Sequence, residues 1–251
     1  MPSPATLFHT ARFWILITLL TPPLALLVIA FGFIDPSGNR SHNVSRLWCR
    51  LLCGLNGVRV RVSGLEHVNQ NRPQIFIANH QGYFDIFALS GYLPVQMRWV
   101  AKASLFKVPF LGWAMKASGY VSVEREDRKN AYKAFMVAID KVKKGNSVVI
   151  FPEGTRSDDG SIGAFKKGSC LLALRSNAPA TPVTIIGTWE IIKKGSGWIK
   201  PGPVDIIISP AVGIDPSSPD KGDSNLQQIR ETITSLFAEH QPTPNFQSSE
   251  K

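Results

Sequence analysis

An uncharged apolar stretch near the N-terminus places the strongest constraint on how this chain can fold. Residues 13–34 contain no charged side chain. A run of about 22 residues makes roughly 33 Å of helix, which is enough to cross the hydrocarbon core of a bilayer. Pro22-Pro23 lies in the middle, and because prolines remove backbone hydrogen bonds, a spanning helix and a re-entrant, two-legged insertion both fit. The stretch is longer than the apolar core of a signal peptide, and the sequence therefore predicts a membrane anchor.

The residues after this stretch predict a second helix and an orientation. After a loop at 35–42, a helix is expected to begin at Asn43, since apolar residues recur every three or four positions up to Leu55. This pattern fits a helix at the lipid headgroups and a helix facing the core equally well. Five arginines follow the apolar stretch and only Arg12 closely precedes it: Arg40, Arg46, Arg50, Arg59 and Arg61. The positive-inside rule then places the part of the chain that follows the apolar stretch on the cytoplasmic face of the membrane.

Charge and cysteine content narrow the possible partners. The net charge is +10 and the pI about 9.7, which suits either nucleic acid or an anionic membrane surface. The apolar anchor favours lipid, and the chain has no zinc-finger spacing and no aromatic-basic strand motif, so we expect no nucleic-acid partner. Cys49, Cys53 and Cys170 form an odd set that supports neither a disulfide framework nor a metal site. We expect reduced packing cysteines, no metal ion and no cofactor.

Apolar periodicity beyond the anchor alternates between strand and helix. Strands are predicted at 58–62, 75–78, 120–123, 148–151, 183–188 and 204–209. Helices are predicted to begin near Asp85 and to cover about 132–142, 166–176 and 226–237. This order predicts an α/β fold with a mixed, largely parallel sheet flanked by helices, preceded by the membrane-anchoring segment. We divide the chain into an anchor with an amphipathic helix (1–56), a catalytic domain (57–240) and a mobile tail (241–251).

A histidine and an aspartate five positions apart are the first candidates for chemistry. The chain reads Asn-His-Gln-Gly-Tyr-Phe-Asp at 79–85, directly after the predicted strand 75–78. Residues five apart do not share a helix face, so we place His80 in a loop, Gly82 at the bend and Asp85 in the first turn of a helix. Asp85 can then orient one ring nitrogen while the other takes a proton from an alcohol. Taken alone, the pair also fits a purely structural interpretation. His80 would then cap a helix, and Asp85 would interact favourably with the positive end of the helix dipole.

A second motif predicts a site for an anion. Phe-Pro-Glu-Gly-Thr-Arg-Ser at 151–157 follows the predicted strand 148–151. A strand that ends in such a turn leaves backbone N–H groups and the Arg156 guanidinium able to bind a phosphate. An ordinary turn with a solvated arginine has the same pattern.

The two motifs together resemble those of the glycerolipid acyltransferases, specifically the 1-acylglycerol-3-phosphate (lysophosphatidate) acyltransferase family. Lys102 with the runs 107–112 and 119–125 is similar to the family's second block, and Thr-Pro-Val-Thr-Ile at 181–185 to its fourth. The resemblance covers about 74–187 in the family's order and spacing.

The resemblance implies a role for each matching residue. His80 is expected to be the general base and Asp85 to orient it, so that the sn-2 hydroxyl of lysophosphatidate attacks an acyl thioester without an acyl-enzyme. The residues matching those that bind the substrate phosphate are Glu153, Gly154, Thr155, Arg156, Arg125 and Lys102. The implied partners are lysophosphatidate, an acyl-CoA or acyl-ACP donor, and the lipid bilayer. The motifs also fit another lysolipid acceptor, or a membrane lipid-binding protein without turnover.

Overall fold

Seven strands form one mixed sheet. A computed structural model of the chain describes residues 2–124, 127–213 and 222–240. Its strands are β1 (Arg59–Ser63), β2 (Ile75–Ala78), β3 (Met97–Lys102), β4 (Val121–Val123), β5 (Ser147–Ile150), β6 (Ala180–Ile186) and β7 (Pro203–Ile208). The spatial order is β1-β7-β6-β2-β5-β3-β4. All neighbours are parallel except β6 and β7, which run antiparallel.

Helices cover both faces of the sheet. They are α1 (Pro4–Ile34), α2 (Asn39–Leu55), α3 (Phe84–Tyr92), α4 (Leu111–Ala117), α5 (Arg128–Lys143), α6 (Gly168–Ser176), α7 (Thr188–Ile191) and α8 (Asp223–His240). Every residue of β2 is buried because its side chains alternate between two cores. Phe76 and Ala78 pack with α2 and α3, whereas Ile75 and Ile77 pack with α5, α6 and α8. The predicted α/β fold is confirmed.

The sequence missed one strand and two helices and misplaced several boundaries. The strand β3 and the helices α4 and α7 were not predicted. The predicted strand 183–188 was wrong at its C-terminal end, since Gly187 adopts φ 93° and Thr188 begins α7. The second helix begins at Asn39, four residues before the predicted start. Asp35 explains the early start, because its carboxylate accepts from the backbone N–H groups of Ser37 and Arg40 and closes the turn that precedes the helix.

The double proline does not divide the anchor. Pro22 and Pro23 lie inside a single α-helix, so the two-legged alternative does not form. Proline removes a donor but its fixed φ remains helical. This helix is the one candidate membrane span among the described residues, judged by length and composition. Phe13, Ala25 and Val28 lie on its buried face, while large apolar residues along the opposite face are exposed.

The parallel strands bring the two sequence motifs to one edge of the sheet. In the β2–β5 pair Ile77 lies opposite Ile150, so both strands end at the same level. The His80 loop leaves β2 there, and the 151–157 loop leaves β5 beside it. Trp99 of β3 lies opposite Val149, which brings Lys102, the last residue of β3, to the same edge. The fold therefore places the candidate residues at the carboxyl ends of adjacent strands.

Candidate active site

His80 and Asp85 form a direct hydrogen bond. The Nδ1 atom of His80 lies 2.7 Å from Oδ2 of Asp85. Asp85 is fully buried in the first turn of α3, and the His80 side chain is 11% exposed. Because a carboxylate accepts and does not donate, Nδ1 carries the proton and the lone pair of the neutral ring lies on Nε2. This is the tautomer that a general base requires.

Asp85 is held by three further donors. The backbone N–H groups of Gln81 and Gly82 donate to Oδ2 at 2.7 and 2.9 Å. The Thr188 hydroxyl donates to Oδ1 from the start of α7, just beyond β6. A buried carboxylate with this many donors is held in one orientation. The bend at Gly82 depends on glycine, since a Cβ there would lie 2.7 Å from the carbonyl oxygen of Thr188.

Aromatic stacking fixes the plane of the His80 ring. Phe151 lies parallel to it, with ring centroids 3.9 Å apart and an interplanar angle of 7°. Trp99 stacks on the far side of Phe151, at 5.7 Å, and its Nε1 donates to the Ser90 hydroxyl. The imidazole is therefore fixed at its edge by Asp85 and on its face by Phe151.

Glu153 joins the two motif loops. Its Oε1 accepts from the His80 backbone N–H at 2.7 Å, and its Oε2 accepts from the Gly163 N–H at 2.8 Å. The Ser157 N–H donates to the His80 carbonyl, which adds a second link. Burial raises the pKa of Glu153, while these two backbone donors act in the opposite direction. The contacts make Glu153 a positioning residue, with both carboxylate oxygens bound to backbone.

Arg156, in the 151–157 motif, lies over a residue of the 79–85 motif. Its guanidinium carbon is 3.6 Å from the centroid of the Tyr83 ring, at the start of α3. One nitrogen, Nη1, is buried and has no hydrogen-bond partner within the described part of the chain. A buried, unpaired N–H of a cation is a favourable position for an anionic oxygen.

The other predicted phosphate ligands differ in their surroundings. Gly154 takes φ 74°, and a Cβ there would lie 2.9 Å from Nζ of Lys166, so the turn requires glycine and brings a lysine against it. Thr155 is exposed. Lys102 is also exposed, at the end of β3. Arg125 lies outside the described residues, as does the predicted mobile tail.

Sequence reasoning missed three contributors. Phe151 was read only as part of a motif, yet it stacks on the base. Thr188 was assigned to a strand, and its contact with Asp85 spans 103 positions. Tyr83 was not considered as a platform for Arg156. The one available signal for Thr188 was a hydroxyl residue three positions after the fourth block.

The two cysteines whose side chains the structure describes lie in the core, apart from the candidate site. Cys49 and Cys53 are free and buried in the core beside α2, in agreement with the packing role predicted for them. The side chain of Cys170 is not among those described. Within residues 2–124, 127–213 and 222–240, no group of three or more His, Cys, Asp or Glu side chains converges to hold a metal ion.

Comparison with known sequences adds a family match. The model of the family described as Acyltransferase matches residues 59–186, about half of the chain. The 1-acyl-sn-glycerol-3-phosphate acyltransferase of Pseudomonas aeruginosa is 32% identical over 83% of this chain and 82% of its own length. The chloroplastic enzyme of that name from Arabidopsis thaliana, LPAT1, is 32% identical over 74% of this chain and 53% of its own length. The chain thus spans about half the length of this chloroplastic relative.

A solved structure has the same architecture. The 1-acyl-sn-glycerophosphate (LPA) acyltransferase PlsC of Thermotoga maritima superposes with a TM-score of 0.81 at 27% sequence identity. The match covers 94% of this chain and 95% of that one, so it includes the N-terminal helices as well as the sheet.

Proposed function

Because this chain belongs to the acyltransferase family, we propose that it transfers a fatty acyl group from a thioester to the sn-2 hydroxyl of 1-acyl-sn-glycerol 3-phosphate, producing phosphatidate. The observation that carries this proposal is the His80–Asp85 hydrogen bond at the same sheet edge as Arg156. A base and a cation are the two groups needed to bind a phosphorylated alcohol and deprotonate it.

The reaction begins when Nε2 of His80 accepts the proton of the substrate hydroxyl. The hydroxyl oxygen attacks the thioester carbonyl carbon, a C–O bond forms, and collapse of the tetrahedral intermediate breaks the C–S bond. The proton on His80 then passes to the departing thiolate, so that the thiol leaves neutral and the imidazole is restored. Asp85 stabilises the transient imidazolium, as the carboxylate does in a serine hydrolase triad. Neither a serine nor a cysteine nucleophile is needed.

The acceptor phosphate is proposed to bind at Arg156. The guanidinium is already oriented by Tyr83, so little conformational freedom is lost on binding, and it has a buried N–H that is unpaired among the residues described. Lys102 and Arg125 are proposed as further cations for the phosphate, and Thr155 as a hydroxyl donor. Gly154 shapes the turn, and Glu153 contributes by holding this loop against His80.

The contacts of α1 support attachment to one leaflet of the membrane. Near its start, Thr10 accepts from the Ile199 N–H and Trp14 donates to the Gly197 carbonyl. Near its end, Gly32 lies against Ala117 of α4. The helix thus touches the domain along about 33 Å, and a perpendicular crossing would draw the domain through the hydrocarbon. We therefore propose that α1 lies along the membrane surface, on the cytoplasmic face that the arginine distribution predicts.

Thiol release with a panel of acceptors tests the proposal. We expect purified protein to release thiol from acyl-CoA or acyl-ACP rapidly with lysophosphatidate and slowly with lysophosphatidylcholine or a lyso-aminolipid. His80→Ala should abolish the release. A preference for another lysolipid would transfer the proposal to that acceptor. Binding of lysophosphatidate without turnover with either donor would leave a lipid-binding protein as the correct description.

A further inference from the structure

We propose that the segment 103–117 is a second membrane-inserting surface, separate from the N-terminal helices, which contacts the acyl chains and anionic headgroups beside the active site. The segment consists of a 3₁₀ turn, Ala103–Lys107, an extended link and α4. The proposal depends on membrane attachment and not on the acyl transfer itself.

Three large apolar side chains of this segment are exposed. Leu105, Val108 and Trp113 are 41%, 42% and 50% accessible. Three such residues within nine positions exceed the scattered apolar side chains of an ordinary soluble surface. Tryptophan suits the boundary between headgroups and acyl chains, where its ring is apolar and its N–H remains near water.

Other residues of the segment pack against the protein and hold these exposed side chains in place. Phe106 and Met115 are buried, and Phe110 packs into the small core between α1, α2 and α4. Gly112 lies so close to Phe106 that a Cβ would come within 2.3 Å of its carbonyl oxygen. The exposed apolar side chains are therefore presented by a well-packed scaffold, so the ordering cost of insertion is small.

The segment is continuous with the surface already assigned to the membrane. Ala114 and Ala117 of α4 pack against Ala25 and Val28 of α1. On the other side of α1, Leu26 and Phe33 are exposed. The segment also begins directly after Lys102, at the edge of the sheet where His80 lies. A bilayer that covers α1 is thus adjacent to the segment and to the site.

Charge favours an anionic bilayer over a protein partner. Residues 102–117 contain the cations Lys102, Lys107 and Lys116 and no acidic residue. All three lysines are exposed. Basic residues at the edge of an apolar surface contribute about 1 kcal/mol each to binding of anionic lipid. Apolar side chains rimmed by lysine are the pattern of an interfacial membrane contact.

A matched pair of labelled cysteines tests the proposal. Val108 and Val137 are the same residue type with similar exposure, 42% and 47%, but Val137 lies on α5. Each is changed to cysteine in a full-length Cys170→Ser background and labelled with a polarity-sensitive fluorophore. Cys49 and Cys53 are buried and remain unlabelled. The proteins are mixed with vesicles of phosphatidylcholine and phosphatidylglycerol in equal parts, with or without nitroxide on the acyl chains.

We expect the label at 108 to shift to shorter wavelength and to lose most of its emission to the nitroxide, while the label at 137 changes little. Equal quenching at the two positions, or none at 108, overturns the proposal. A shift at 108 that grows with protein concentration in the absence of vesicles also overturns it, because the segment would then be a contact between copies. No substrate is present, so the result is independent of the proposed reaction.

Charge substitution provides a second measurement. Val108→Asp should weaken binding to the same vesicles by about tenfold, the value of one buried valine side chain. Val137→Asp should leave binding unchanged. Equal affinities of the two variants would count against the insertion of the segment.

Discussion

The two halves of the candidate site differ in how completely their polar atoms are paired. In the catalytic half, His80 and Asp85 are buried, and the Asp85 carboxylate accepts four hydrogen bonds. In the anion-binding half, Arg156 has a buried nitrogen without a partner among the described residues, and Thr155 is exposed. The first half has its hydrogen bonds in place without a substrate, whereas we propose that a ligand completes the second.

This difference corresponds to two kinds of energetic demand. A base must already hold the correct tautomer when the hydroxyl arrives, because reorganisation during the reaction would raise the barrier. A binding residue gains most when the ligand supplies its missing partner, since an unpaired buried donor is costly until then. Substitutions in the first half should therefore lower kcat, and those in the second half should chiefly raise KM for the phosphorylated acceptor.

Asp85→Asn tests the catalytic half of the site and has the largest expected effect. An amide keeps the shape but loses the charge that holds the proton on Nδ1, so the base tautomer and the imidazolium are no longer stabilised. We expect kcat to fall by about 10³-fold with KM for lysophosphatidate nearly unchanged. Circular dichroism should show a folded protein. A kcat within a factor of about ten of the wild type would exclude Asp85 from orienting the base.

Arg156→Ala tests the anion-binding half of the site. Loss of the charged N–H groups should raise KM for lysophosphatidate by about 30- to 100-fold, equivalent to 2–3 kcal/mol for hydrogen bonds to a charged group. The effect on an acceptor without phosphate should be small. Arg175→Ala is a matched control, because this arginine also lies over an aromatic ring, Phe135, but on α6. An equal loss with and without the acceptor phosphate would remove the proposed role of Arg156.

The sequence predicted the catalytic half better than its surroundings. The His80–Asp85 pairing follows from local geometry, since a bend between strand and helix is the only way to aim both side chains at one point. The strand β3 was missed because Arg98 lies within it and a charge argues against a buried strand. The structure buries Arg98 by giving it carbonyl and amide acceptors, Ser37 and Asn39, about 60 positions away. Such long-range partners leave no periodic signal in the chain.

Thr188→Val tests whether the missed contact matters to the base. Without the hydroxyl, Oδ1 of Asp85 is buried and unpaired, and its negative charge is concentrated on the bond to His80. We expect kcat to fall by about tenfold. Thr188→Ser should restore it. Thr184→Val is the matched control, since its buried hydroxyl has no partner in the described part of the chain and its loss should leave kcat unchanged.

His42→Gln has no expected effect on rate near neutral pH and tests stability instead. His42 is buried in α2, with Nδ1 3.2 Å from the Tyr120 hydroxyl. Burial, with smaller contributions from Arg98 and Arg46, lowers the pKa of His42 from 6.5 to about 3. Below pH 6.5 the unfolded chain therefore binds a proton at His42 that the folded protein does not bind until about pH 3. The free energy of unfolding falls as the pH falls between these two values.

The loss is about 1.4 kcal/mol per pH unit, or about 3 kcal/mol between pH 6.5 and about pH 4. Glutamine does not titrate, so the variant should lack this loss, and its stability relative to the wild type should rise steadily on acidification. The raised pKa of Glu153 affects both proteins alike and cancels in the difference. Urea unfolding at a series of pH values measures this difference in the free energy of unfolding. Parallel stability curves would show that the folded protein protonates His42 as readily as the unfolded chain does, contrary to the effect of its burial and of the nearby Arg98 and Arg46.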